Sequence, residues 1–344
     1  MKTIIKRFTS VFLAFCMILV FSQSIMVNAV DEIPDYNSNE IEYYIEYDCV
    51  NQTYQRIPVN SIPDYANTTT TTYELNAMSS ELPRLQDISD SYAEPLANLN
   101  DDAYAFTPPT SDPYSGVVLI MFYTDGQWHR GTGFMVAPDV LVTAAHNMVN
   151  YKDGEFQSLE FRVYPNYNSL STSPLSTNND YILPLMWTCY DYADAIDGTD
   201  GNATNIDVLK YDWCVVQLQE SIPNAYNFAC STGVKTSWFT KYRTSGYPYC
   251  VVSNCTNNEC NHTRSFLQCT SEGLIKKKDD YMVYYTNNTR GGMSGGPLYK
   301  KSNNVCYAII TSEYLSVSGT LYNAGTIIND KIYNAISYYI ERGN

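Results

Sequence analysis

From residue 116 onward the apolar positions come in short bursts rather than long periodic runs. Residues 117–123 form an unbroken apolar stretch, and Asp125-Gly126 behind it is a strong hairpin-turn signal. Further β-branched or aromatic runs fall at 133–136 and 140–143, which Pro138-Asp139 separates, and at 161–164, 212–218, 281–285 and 307–311. The period changes at the end of the chain. Ile328, Ile332, Ile336 and Ile340 recur every fourth residue beside Tyr333 and Tyr339, which predicts an amphipathic helix. Many short strands over about 230 residues, closed by one helix, predict an all-β fold of two packed antiparallel barrels.

The first hundred residues follow a different rule. Lys2, Lys6 and Arg7 precede an apolar run over 11–21 and then Val27-Asn28-Ala29, the layout of a secretory signal peptide over residues 1–29. The run is short for a membrane span, and no other segment approaches about 18 apolar residues, so no span is expected once the signal is removed. An uncleaved anchor is the competing reading, and the small-residue site argues against it. The formal charge of −15 is concentrated in residues 30–112, where sixteen Asp and Glu face only Arg56 and Arg84. The remainder is close to balanced and shows no basic patch, which disfavours nucleic-acid binding. Scattered Pro, Asn and Ser and the run of threonines over 68–72 mark this stretch as a removable segment and linker, partly folded around residues 41–54. A small adhesion domain is the alternative. The mature chain is expected to begin between Arg84 and Pro113, leaving 113–344 as the principal domain.

Ten cysteines bear on the compartment. Cys16 lies in the signal and Cys49 in the acidic segment; the other eight are disulfide candidates in an exported chain. Cys250, Cys255, Cys260 and Cys269 crowd around His262. The spacing lacks a C-x2-C knuckle, so a disulfide-pinned loop is expected there in preference to a zinc site. Cys214 is expected buried and unpaired.

Three motifs carry chemistry: Leu141-Val-Thr-Ala-Ala-His146, Tyr211-Asp212-Trp-Cys-Val-Val, and Gly291-Gly-Met-Ser294-Gly-Gly-Pro297. A serine hydroxyl is a weak nucleophile that needs a base at hydrogen-bond distance and a group orienting that base. His146 follows three small residues that let a helical turn pack where a buried strand ends. Asp212 enters an apolar strand, where a carboxylate is costly unless paired. Its rivals Asp191, Asp194, Asp197, Asp200 and Asp207 lie in a polar loop. Ser294 is flanked by glycines that let the Gly292 and Ser294 N–H groups converge on an oxyanion. His129 and His262 are read as structural or surface residues.

In combination these motifs, with Gly131-Thr-Gly-Phe, Gly246-Tyr-Pro and Tyr322-Asn-Ala-Gly-Thr-Ile-Ile, resemble the trypsin-like serine proteases, specifically the bacterial glutamyl-endopeptidase (V8-like) branch. The resemblance spans roughly residues 114–339. It implies two six-stranded barrels, Ser294 as nucleophile, His146 as general base then acid, and Asp212 as the orienting carboxylate. It further implies a secreted, extracellular, monomeric endopeptidase acting on proteins or peptides, without metal or organic cofactor, made as a zymogen that another protease activates. Two departures stand out. Met293 replaces the acid that in many relatives pairs with the freed N-terminus, so latency is expected to come from obstruction by the acidic segment. The strand 308–314 holds no histidine to meet a glutamate side chain. Asn288, Thr289, Thr311, Ser312 and Glu313 are the expected S1 positions, with Arg290 nearby, and a neutral or basic P1 residue fits them. A catalytically silent domain that binds an extracellular ligand is the alternative function.

Overall fold

The computed structural model describes residues 42–67, 105–124, 126–152, 155–169, 173–176, 180–190, 209–237, 239–249, 266–315 and 321–343. The described chain opens with β1 (Tyr43–Asp48), β2 (Thr53–Pro58), β3 (Ala105–Phe106), β4 (Val117–Thr124), β5 (Gln127–Ala137) and β6 (Val140–Thr143). It continues through β7 (Val149–Lys152), β8 (Glu155–Ser158), β9 (Glu160–Tyr164), β10 (Pro184–Tyr190), β11 (Cys214–Leu218) and β12 (Tyr242–Gly246). The last part holds β13 (Cys269–Gly273), β14 (Ile275–Lys278), β15 (Met282–Tyr285), β16 (Pro297–Lys300), β17 (Cys306–Leu315), β18 (Leu321–Ile327) and the helix α1 (Asp330–Gly343).

Two curled antiparallel sheets result, ordered β2-β1-β10-β11-β6-β5-β4-β9 and β14-β15-β18-β17-β16-β12-β13-β3, with β7-β8 as a separate hairpin. The two sheets and terminal helix match the expected architecture. Each sheet has eight strands rather than six: β1 and β2 from the acidic segment bring the first from six to eight, while the second has seven strands of its own and gains β3. β1 and β2 extend the first sheet, and β3 pairs with β13 at the edge of the second.

The unbroken apolar run of β4 has a direct cause. Successive side chains point to opposite faces, and both faces are covered. Val117, Leu119 and Met121 join a core shared with Tyr299, Ile309 and Ile332, while Val118, Ile120 and Phe122 join one with Leu141, Cys189 and Val216. Each fully buried aliphatic side chain contributes about 1.5–3 kcal/mol. In α1, Ile332, Ala335, Ile336 and Tyr339 are buried, the i, i+3, i+4, i+7 face of a helix, and this face packs across β5, β6 and β11. The Asn329 side chain caps the helix by accepting from the Ile332 N–H at 3.1 Å. No helix among the described residues is long and apolar enough to cross a membrane.

The cysteines differ from expectation. Among the six described ones, Cys49, Cys214, Cys230, Cys269 and Cys306 are free thiols. Cys189, Cys214, Cys269 and Cys306 are fully buried and act as small hydrophobes, and burial pushes their neighbour Cys49 up to about 12. Cys214 is unpaired as expected; Cys250, Cys255, Cys260 and His262 lie outside the described residues. His129 stacks on Phe122 with ring centroids 5.6 Å apart, a structural placement.

Candidate active site

β6 ends at Thr143, and Ala145–Asn147 forms a single 3-10 turn that presents His146 at the junction of the two sheets. Small side chains make this possible, since Ala144 and Ala145 are buried without crowding the turn. Asp212 lies two residues before β11 rather than inside it, and is 4% exposed. Its carboxylate accepts twice from His146: the main-chain N–H bonds Oδ1 at 3.0 Å and ring Nδ1 bonds Oδ2 at 2.7 Å. An ionised carboxylate only accepts, so Nδ1 carries the proton and the lone pair is left on Nε2. Desolvation in the cleft depresses the imidazole pKa, but the Asp212 charge and hydrogen bond outweigh it, and the net direction is upward from the ordinary 6.5. The His146 side chain is still 43% exposed, so one edge of the ring remains accessible.

Ser294 is brought beside this turn by side chains that sequence reasoning did not single out. Its carbonyl accepts from the Thr132 N–H at 2.9 Å and from the Asn147 side-chain amide at 3.0 Å. The same amide nitrogen bonds Thr143 Oγ1 at 3.0 Å. Thr132 Oγ1 donates to the Gly292 carbonyl at 2.8 Å and accepts from the Tyr247 N–H at 3.0 Å. Thr132 and Asn147 are fully buried. They clamp the serine turn to β5 and to the residue after His146. Thr132 lies in the Gly131-Thr-Gly-Phe motif, to which the sequence attached no role, and Asn147 is marked only by following His146. Arg130 was also missed. It is 5% exposed, its guanidinium lies 3.9 Å from the Phe266 ring centroid, and it donates to the Pro248 carbonyl at 3.1 Å. Burial pulls its pKa down to about 10.

Two glycines in the turn have φ of +94° (Gly292) and +87° (Gly295), the left-handed region. A Cβ on Gly295 would meet the Thr132 carbonyl, Thr143 Oγ1 and the Ala144 N–H. Gly295→Ala is therefore expected to cost about 2–3 kcal/mol of stability, read as a lower urea midpoint at unchanged slope. Within the turn, Met293 N–H donates to the Arg290 carbonyl, and the Gly292 and Ser294 N–H groups donate to no main-chain carbonyl among the described residues. Met293 is fully buried, an apolar anchor where an acid would need a partner.

Among the expected S1 positions, Thr289 and Thr311 are buried and Asn288 is exposed, its N–H donating to Ser271 Oγ at 2.8 Å. β17 carries a bulge between Ile310 and Ser312, and the Thr311 and Ser312 hydroxyls are buried without hydrogen-bond partners. Glu313 pairs opposite Asn323, whose side chain donates to the Asn287 carbonyl; this ties the 287–289 stretch to β17 and β18. The Glu313 side chain and the rival aspartates at 191–207 lie outside the described residues. Of the acidic segment, β1 and β2 pack at the β10 edge of the first sheet and β3 at the β13 edge of the second.

The family described as "Trypsin-like peptidase domain" matches residues 131–309. The "Extracellular metalloprotease" of Bacillus subtilis (strain 168) is 25% identical over 243 residues, 70% of this chain and 68% of that protein. The "Glutamyl endopeptidase" of Bacillus licheniformis is 24% identical over 250 residues, 69% and 67% respectively. A solved Glu endopeptidase in complex with MPD aligns with a TM-score of 0.52 at 20% identity, covering 70% of this chain and 98% of that one, and shares the fold. The metal in the first relative's name belongs to that protein. Among the described residues here, no three His, Cys, Asp or Glu side chains gather as a ligand set.

Proposed function

Because this chain belongs to the trypsin-like peptidase family, we propose that it is a serine endopeptidase working through His146, Asp212 and Ser294. Ser294 Oγ attacks the scissile carbonyl while His146 Nε2 takes its proton, and Asp212 holds the ring and balances the imidazolium. The N–H groups of Gly292 and Ser294 receive the developing oxyanion, each worth about 3 kcal/mol of transition-state stabilisation. The C–N bond breaks as His146 returns the proton to the leaving amine, leaving an acyl-serine ester that water, deprotonated by His146, then hydrolyses. One observation carries this reading. The Ala145–Asn147 turn is anchored on both sides, with Asp212 on the His146 ring and Asn147 on the Ser294 carbonyl.

We assign the walls around the P1 side chain to Asn288, Thr289, Thr311 and Ser312. The unpaired hydroxyls of Thr311 and Ser312 favour an uncharged P1 residue that forms hydrogen bonds. Residues 1–29 direct export, in keeping with the extracellular relative, and processing falls within 84–104, short of the anchored β3.

The test is covalent labelling with peptidyl phosphonates. The expected adduct maps to Ser294. Its rate rises with pH through a midpoint above 6.5, because the raised imidazole pKa delays formation of the neutral base. A phosphonate with an amide in its P1 side chain reacts faster than its carboxylate counterpart. An unlabelled Ser294 in a folded protein would favour the silent, ligand-binding domain instead.

A further inference from the structure

The hairpin β1-β2 comes from the segment expected to be discarded, yet it is built into the first sheet. β1 pairs with β10 from Tyr44 opposite Tyr190 to Asp48 opposite Met186, and the Cys49 N–H continues to the Leu185 carbonyl at 3.0 Å. Tyr44 and Ile45 are 0% and 2% exposed. Tyr47 stacks on the fully buried Trp187 with centroids 5.3 Å apart. A second set of contacts reaches α1. The Glu46 carboxylate, 4% exposed, accepts from Tyr339 Oη and from Arg342, both at 2.7 Å. Tyr44 Oη donates to the Lys331 carbonyl at 3.1 Å, Tyr65 Oη to Glu341 at 2.7 Å, and the Ala66 N–H to Asn334 Oδ1 at 2.8 Å.

We propose that residues 42–67 are a permanent part of the enzyme, remaining seated on β10 and α1 as a non-covalent second chain after the linker is cut. Removing them would open β10 as an unpaired edge and expose Trp187, Cys189 and Trp213, which are now at most 2% exposed. The stretch on the other side of the linker is fixed independently, since the Thr107 side chain donates to Gln268 Oε1 at 2.6 Å on the second sheet. Cleavage between these two anchors therefore leaves the described contacts on both sides intact.

The hairpin also has a positioning role. The Tyr44 ring meets Trp213 edge-on at 5.6 Å, Trp213 adjoins Asp212, and Tyr211 on the other side stacks on Tyr190 at 4.3 Å. Tyr44 thus braces the acid-bearing Tyr211-Asp212-Trp213 segment through Trp213. The docking stands on contacts alone; the effect of Tyr44 on turnover rests on the serine-peptidase reading above.

The experiment places a site-specific protease recognition sequence within residues 68–104 of the full chain and verifies the cut on a denaturing gel. The two fragments are expected to co-elute on native size exclusion, and native mass spectrometry to give a 1:1 complex. Release of the N-terminal fragment at micromolar concentration overturns the docking, whatever the activity. In the uncut chain, Tyr44→Ala is expected to lower kcat about 10²-fold at little-changed KM, as for a catalytic group displaced by about 1 Å. Tyr44→Phe, which keeps the ring, restores turnover. A change confined to KM, or a Tyr44→Phe variant as poor as alanine, overturns the positioning role. Co-elution is read without any substrate, so failure of the peptidase reading remains distinguishable from failure of the docking.

Discussion

Ser294→Ala is expected to lower kcat by about 10⁶-fold while leaving the fold and substrate binding in place. The magnitude follows from what the hydroxyl does. In the proposed mechanism it forms the bond to the carbonyl carbon, so its loss removes the acyl-enzyme route altogether and leaves only the oxyanion donors and bound-substrate geometry. Those survive the substitution here. The Ser294 carbonyl, which Thr132 and Asn147 hold, and the φ of +94° at Gly292 are main-chain features that an alanine side chain does not disturb. Stopped-flow or single-turnover assays with an activated ester, together with a thermal melt, check both halves. Undiminished hydrolysis in the variant would falsify the assignment of the nucleophile. A collapse of the thermal transition along with activity would instead mean that the hydroxyl has a structural role.

Asp212→Asn has the second-largest expected effect, about 10⁴-fold in kcat near pH 7. Both carboxylate oxygens are engaged, one by the His146 main-chain N–H and the other by ring Nδ1. An asparagine can satisfy only one of these acceptor roles. If its NH2 faces the ring, Nδ1 must accept and the proton moves to Nε2, where it blocks abstraction from serine. The pH profile supplies a second, independent sign. Apart from the opposing effect of desolvation, it is Asp212 that raises the imidazole pKa, by its charge and hydrogen bond. Removing the charge lowers that pKa, so the acid limb of the residual activity moves to lower pH even as the plateau falls. A variant whose plateau falls without that movement would show that Asp212 acts on something other than His146.

The strand pattern and terminal helix were readable because burial writes its period into the residue types. β4 is apolar throughout because it is covered on both faces, and α1 repeats isoleucine every fourth residue because one stripe meets the first sheet. His146, Asp212 and Ser294, the groups of the proposed mechanism, stood out for a different reason. Each chemical group sits in a short local motif, with small residues before the histidine, an apolar strand after the aspartate and glycines around the serine. The clamps behind them left no such mark. Asn147 and the Ser294 carbonyl it bonds are 147 positions apart, and the Glu46 pairing with Tyr339 spans 293. A contact of that kind depends on where two remote segments arrive in space, and neither segment is unusual by itself.

The acidic segment shows the same division. Its charge and composition marked it as separate from the barrels, and it was expected only to be partly folded around residues 41–54. Composition reports how much apolar surface a stretch can bury, whereas its place in a sheet depends on which edge stands open when it arrives. The sequence by itself determined the strand and helix periods and the fold class, and it supplied the three groups on which the proposed chemistry rests. Only the tertiary structure decided that β1 closes the β10 edge, that Cys269 and Cys306 are buried as free thiols, and that Thr132 and Asn147 set the serine turn beside His146. The physical reason is that periodicity and motif chemistry are local properties of the chain, while edge pairing and side-chain-to-main-chain clamps between distant segments exist only once the chain has folded.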